Sequence, residues 1–210
     1  MKTYIIPGLY TSLRGGMIIL SVLWLTACSS AKIPQLQADD VVLAFGDSLT
    51  AGYGVKPSNS YPEVLANMTG LNVINSGISG ETTAEGLARL PMFLEQHQPG
   101  LVILLEGGND QLQTRPYDEI KANLHKMIRL IKASGASVIL VSVPQKKLFG
   151  GSLELYSELA EEFDLPIEDD IVASLMARPS MKSDYVHFND KGYQALAEAI
   201  YEVMQTSGAI

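Results

Sequence analysis

The sequence predicts an α/β protein: a three-layer α/β/α domain around a central, mostly parallel sheet of five strands. Two observations carry this. Short apolar runs, too brief for helices, alternate along residues 41–210 with longer segments of helical spacing, the alternation that builds βαβ units. Polar, glycine-containing clusters recur after the strands, and in a parallel sheet such positions fall at one edge.

The first strand is read at Val41–Phe45, five apolar residues closed by Gly46. Ser60-Tyr61-Pro62-Glu63 has the serine, early proline and early acid of a helix start, with Gly70 as its stop. Asn72–Asn75 is a short second strand. Thr82 to Gln98 has helical character, with Pro91 expected to break or kink it. The continuous run Leu101–Leu105 marks a strand buried on both faces. Ile120, Leu124, Met127, Ile128 and Ile131 share one face of a helix over Tyr117–Ala133, and Gly135 lies just past its end. Ser137–Val143 is the fourth strand, Leu153–Phe163 a helix after the Gly150-Gly151 loop, Pro166-Ile167 a short fifth strand, and Asn189–Met204 the closing helix.

Residues 1–27 are read as a leader outside the fold. Lys2 and Arg14 precede an apolar run, Met17–Leu25, that is shorter than the roughly 20 residues a membrane-spanning helix needs. Leu25-Thr26-Ala27-Cys28 resembles the bacterial lipoprotein box, which implies lipid on Cys28, with residues 28–40 as a lipidated tether lacking a packed face. Ser29 in the next position implies sorting to an outer membrane, facing the periplasm. Cys28 is the single cysteine, so no internal disulfide or thiolate zinc cluster is available to it. Loss of the leader's two positive charges takes the net charge from −8 to −10, which argues against nucleic acid as a partner.

Residues 41–210 suit one domain, expected to be a monomer. Ser48 follows the first strand, Gly80 the second and Asn109 the third, while Asp184 and His187 lie between the fifth strand and the last helix. At the carboxyl edge of a parallel sheet these would share one crevice. Each has a plainer explanation alone: Ser48 or Asp184 as a helix cap, Asn109 as a turn former, Gly80 for its backbone, His187 as a surface residue. A serine needs a base within reach to act as a nucleophile, and His187 is the best available, since His97 and His125 sit in predicted helices away from the clusters. Asp184, three residues before it, could accept the other ring N–H from the same loop or helical turn. Asp47 is read as a support for the turn, and Glu106, at the end of a buried strand, as a border of the pocket.

Gly46-Asp47-Ser48-Leu49 is the signature of the GDSL hydrolases. The blocks Ser79-Gly80-Glu81-Thr82-Thr83, Gly107-Gly108-Asn109-Asp110 and Asp184-Tyr185-Val186-His187 follow in the order of their SGNH subgroup, so the chain resembles that family from about Val41 to the C-terminus. Gly86-Leu87-Ala88-Arg89-Leu90-Pro91 and Gln96-His97-Gln98-Pro99 are similar to the periplasmic thioesterase I, arylesterase and lysophospholipase group.

The resemblance implies a flavodoxin-like fold and an esterase acting on a small ester or lipid-like substrate through an acyl-Ser48 intermediate. His187 would be the general base, Asp184 would orient it, and the N–H groups of Ser48 and Gly80 with the Asn109 amide would form the oxyanion hole. Neither a cofactor nor a metal is implied, and activity is expected to rise with pH as the imidazole loses its proton. Two other readings stay open: an O-acetyl deacetylase of cell-envelope carbohydrate, favoured by a polar groove on the Asn189 side, and a non-catalytic envelope binding protein that keeps the fold. The α/β-hydrolase elbow Gly-x-Ser-x-Gly is not matched, because Thr50 stands at its second glycine. The loop Pro144–Gly151 is expected to shape the acyl pocket.

Overall fold

The computed structural model describes residues 1–3, 31–145 and 152–210. The leader, Cys28 and most of the Pro144–Gly151 loop therefore lie outside the described residues. The five strands are β1 (Val41–Gly46), β2 (Asn72–Gly77), β3 (Leu101–Leu105), β4 (Ser137–Val141) and β5 (Ile167–Glu168). They form one all-parallel sheet in the order β2-β1-β3-β4-β5. The helices are α1 (Ser48–Ala51), α2 (Tyr61–Thr69), α3 (Thr83–His97), α4 (Gly108–Leu112), α5 (Tyr117–Ala133), α6 (Glu154–Phe163), α7 (Ile171–Met176) and α8 (Asp190–Ser207).

Side chains alternate across each strand, so β1, β3 and β4 feed two cores. Leu43, Phe45, Val102, Leu104, Val138 and Leu140 face Leu90 and Leu94 of α3, Met127 and Ile131 of α5, and Tyr156 and Leu159 of α6. Val42, Ala44, Leu101, Ile103, Ile139 and Val141 face Tyr61 and Leu65 of α2, Leu175 of α7, and Tyr193, Leu196 and Ile200 of α8. Each of β1, β3 and β4 is thus covered on both sides, which gives the three layers expected from their unbroken apolar runs.

Several local expectations change. The helix containing Pro91 runs unbroken from Thr83 to His97, so the proline does not end it. Ser60 occupies the cap position of α2, but its hydroxyl donates to the Pro57 carbonyl rather than serving the helix. β5 starts one residue late, after Pro166, which has no N–H to give to a ladder. The stretch read as a tether without a packed face is packed over residues 33–36. Ile33 is buried against α8, its N–H donates to the Ser207 carbonyl, and the Leu36 N–H donates to the Ala209 carbonyl. These bonds use carbonyls at the end of the chain's last helix and just beyond it, where intrahelical donors run out.

The register brings the carboxyl ends of three strands level: Gly46 pairs with Gly77 of β2 and with Leu105 of β3. β1 lies between β2 and β3, so chain connections diverge to either side of it, and a crevice opens there. Gly46 is the tight point: a β-carbon on it would collide with the Leu105 carbonyl oxygen and with Thr50 Oγ1. Gly46→Ala is expected to destabilise the protein by about 3 kcal/mol, measured as a shift of the urea unfolding midpoint. An unchanged midpoint would show that the β1–β3 spacing relaxes freely.

Candidate active site

Ser48 is the first residue of α1, and Asp47 is the cap: its Oδ1 accepts the Leu49 N–H at 2.9 Å. Ser48 is therefore not a capping residue, and its hydroxyl is free to engage another group. That group is His187, whose Nε2 lies 3.0 Å from Ser48 Oγ. On the other side of the ring, His187 Nδ1 lies 2.7 Å from Asp184 Oδ2. The three predicted side chains form one hydrogen-bonded line.

Asp184 and His187 do not meet by sharing a helical face. The loop carrying them is pinched by an isolated antiparallel bridge between Lys182 and Phe188, and the Ser183 N–H donates to the His187 carbonyl. Asp184 Oδ1 accepts the N–H groups of Val186 and His187 at 2.9 and 2.8 Å, so one carboxylate oxygen folds the loop while the other meets the ring. The His187 hydrogen bond and these N–H groups hold the Asp184 carboxyl down at about 2, so it is an anion at any ordinary pH. Tyr53 packs against the imidazole with ring centres 4.2 Å apart. Asn189 caps α8 through Oδ1 and donates through Nδ2 to the Ser180 and Lys182 carbonyls, tying the loop down. Neither Tyr53 nor this use of Asn189 was foreseen, since both depend on tertiary contact.

Gly80 adopts a positive φ of 87°, the backbone role that glycine serves without strain. Among the described residues, neither the Ser48 nor the Gly80 N–H donates to a protein acceptor. Asn109 Nδ2 donates to the Glu81 carbonyl at 2.8 Å and meets Asp47 Oδ2 only at 3.4 Å. The Glu81 bond takes one hydrogen and orients the NH₂ group, while the long approach to Asp47 leaves the second hydrogen able to serve a group in the cavity. Ser48, Gly80, Asn109 and His187 all line one cavity of about 960 Å³. Val143, Val172, Ala173 and Met176 supply apolar wall, while Gln111, Leu112 and Tyr185 also line it. Glu106 is not part of this wall, contrary to expectation; it is fully buried behind it, its side chain reaching Gly86 of α3.

Behind the crevice lies a charge cluster that the sequence did not announce. Asp47, Glu81, Glu106 and Asp110 are all buried. Arg89 of α3 pairs with Glu81 through Nε and Nη2, donates to Ser76 Oγ, to the Ser76 carbonyl and to the Gly46 carbonyl, and stacks 3.9 Å over the Phe45 ring. Asp110 accepts the Thr83 N–H and hydroxyl at 2.8 and 2.7 Å, joining the third polar block to the second. Burial pushes the Asp47 carboxyl up to about 7; the Glu81 and Asp110 charges add to this, and its bond from Leu49 opposes it.

Asp47→Asn keeps a capping oxygen and removes the titration. The unfolded chain ionises Asp47 from about pH 4, while the folded chain holds the proton to about 7. The stability this group contributes is complete below pH 4 and declines as pH rises through 7. The variant is expected to gain on the wild type by on the order of a few kcal/mol between pH 4 and 7, read from urea midpoints. A difference that does not vary with pH would refute the shift.

The chain is similar to known proteins over most of its length. Residues 44–195 match the model of the GDSL-like Lipase/Acylhydrolase family. The chain is 36% identical over 195 residues to an arylesterase of Vibrio mimicus, covering 88% of this chain and 96% of the relative. It is 32% identical over 176 residues to thioesterase 1/protease 1/lysophospholipase L1 of Escherichia coli K12, covering 80% and 85%. Among solved structures, the SGNH-hydrolase family esterase AlinE4 superposes with a TM-score of 0.63 at 30% identity, covering 82% of this chain and 98% of its own. With the family model spanning most of the chain and the relatives matched over most of their length, the chain belongs to the GDSL-like lipase/acylhydrolase family, and is a hydrolase acting on esters.

Proposed function

We propose that the chain hydrolyses carboxylic esters or thioesters in two steps through an acyl-Ser48 intermediate. The observation that carries this reading is the line Ser48 Oγ, His187 and Asp184, at 3.0 and 2.7 Å. His187 Nε2 takes the hydroxyl proton as Ser48 Oγ attacks the carbonyl carbon. Asp184, held ionised, keeps the Nδ1–H tautomer and stabilises the imidazolium that forms. The Ser48 and Gly80 N–H groups and the Asn109 amide receive the developing oxyanion, each such donor contributing roughly 3 kcal/mol. His187 then returns the proton to the leaving alcohol or thiol, and water repeats the sequence on the acyl-enzyme.

The substrate is an ester with a short to medium acyl chain. The apolar wall of Val143, Val172, Ala173 and Met176 supports this, as do the arylesterase and thioesterase names of the relatives. A carbohydrate deacetylase is less well supported, because Asn189 does not line the cavity and spends its amide on Ser180, Lys182 and Gly192. The reading extends to the leader, which lies outside the described residues: Cys28 carries lipid and holds the enzyme to a cell-envelope membrane.

Hydrolysis of p-nitrophenyl esters of increasing chain length tests the mechanism. Ser48→Ala and Asp184→Asn are each expected to lower kcat on the order of 10⁴-fold, with circular dichroism unchanged. Activity retained by Ser48→Ala would overturn the reading. For the anchor, full-length protein made in a bacterium should incorporate labelled palmitate and Cys28→Ser should not; equal labelling would exclude Cys28 as the acceptor.

A further inference from the structure

Glu106 ends β3's edge of the site as a buried carboxyl that the mechanism above leaves unused. It is 0% exposed, and neither of its side-chain oxygens meets an N–H or O–H donor among the described residues. A carboxylate so placed would forfeit its hydration without replacement, an expensive state in an apolar site. Its surroundings are otherwise accounted for. A β-carbon on Gly86 of α3 would lie 3.3 Å from Glu106 Oε1, 3.0 Å from Met127 Cε and 3.4 Å from the Phe45 ring, so the glycine leaves the space that the carboxyl fills. The Tyr156 hydroxyl of α6 donates to the Glu106 main-chain carbonyl at 2.5 Å and not to its side chain.

The polar groups facing the carboxyl are Asp47 from the β1–α1 corner, and Glu81 and Arg89 from α3 and the turn before it; the Glu81 carboxylate is within hydrogen-bonding reach. Two carboxylates have no hydrogen to share, so one of this pair must carry a proton. Glu81 is held by the Arg89 guanidinium through two nitrogens, which favours its anion. Glu106 has no such cation of its own, and burial, the Asp47 charge and Glu81 all favour its neutral form. The proton therefore belongs on Glu106.

We infer that Glu106 is a positioning residue of the oxyanion-binding wall, donating its carboxyl hydrogen to Glu81 and so fixing the turn that carries Gly80 and orients Asn109. The link from Glu81 outward is short. Its main-chain carbonyl accepts Asn109 Nδ2 at 2.8 Å, and its own nitrogen is in the peptide next to Gly80. Its side chain, through Arg89, is tied to the Gly46 and Ser76 carbonyls at the ends of β1 and β2. Two acids and one arginine thereby lock two of the three donors proposed for the oxyanion, at a distance from the cavity. The inference rests on the acyl-Ser48 reading, and the experiment separates the two.

Glu106→Leu and Glu106→Gln are compared with wild type and Ser48→Ala on one p-nitrophenyl ester. Loss of the buried donor in Glu106→Leu is expected to lower kcat on the order of ten- to hundredfold while KM changes little, because the wall is misplaced and the acyl pocket is untouched. Glu106→Gln, which keeps an N–H to donate to Glu81, is expected to restore most of kcat. Infrared difference spectra at pH 7 should show the C=O stretch of a neutral carboxylic acid lost in Glu106→Gln, a readout that needs no activity and no Leu variant that folds. Wild-type kcat in Glu106→Leu, no rescue by glutamine, or no neutral-acid band each overturns the inference. Activity surviving in Ser48→Ala instead overturns the acyl-enzyme reading and leaves the infrared result to judge the proton on Glu106.

Discussion

The main chain comes so close to itself at the carboxyl ends of β1 and β2 that neither Gly46 nor Gly77 has room for a β-carbon; the first would strike Leu105 and Thr50, the second Ala51. This closeness sets the geometry of everything above it. It lets α1 begin immediately after β1 with Asp47 as its cap, and it packs that short helix onto the end of β2. Ser48 is thereby presented at the sheet edge by main-chain constraint rather than by its own interactions. The loops after β2 and β3 start from the same level, so Gly80 and Asn109 need only short excursions to reach the same crevice.

Behind that edge the molecule tolerates an unusual charge balance. Four buried carboxyls share one arginine, and the arrangement holds because protons and N–H groups replace the missing cations. Asp110 is satisfied by Thr83, Asp47 by Leu49, Glu81 by Arg89, and Glu106 keeps its proton. The Asp110 bonds join the third polar block to the second, and Arg89 carries Glu81 to the ends of β1 and β2. What looks like a surplus of negative charge is the stitching between the loops.

Much of this was legible in the sequence, for reasons that can be traced to individual residues. Leu101–Leu105 and Val41–Phe45 could be nothing but buried strands, and the periodicity of Ile120, Leu124, Met127 and Ile131 marked α5 to the residue. The four polar blocks gave Ser48, Gly80, Asn109, Asp184 and His187, which line the cavity or sit in hydrogen-bonded contact with it. The one-turn helices α1 and α4 were not legible, because pieces of four or five residues carry no period to read. Pro91 left two outcomes open, a break or a kink, and the helix is not broken there. Ile33 and Leu36 were lost among polar neighbours, since two apolar residues mean nothing until the end of α8 is there to receive them. Glu106 was seen, but its direction was not: whether a residue at a strand end turns to the cavity or to the core is decided by space, here the space that Gly86 leaves.

The strap at residues 33–36 fixes the polarity of the whole molecule. It is bonded to the last residues of the chain, and Leu36 and Asp40 pack beside Gly100, just before β3. That is the amino-terminal rim of the sheet, separated from Ser48 by the length of the strands, about 15–20 Å. Residues 32–36 thus join the domain at the pole opposite the mouth of the cavity. Whatever docks on this strap meets the back of the enzyme and leaves the mouth of the cavity uncovered.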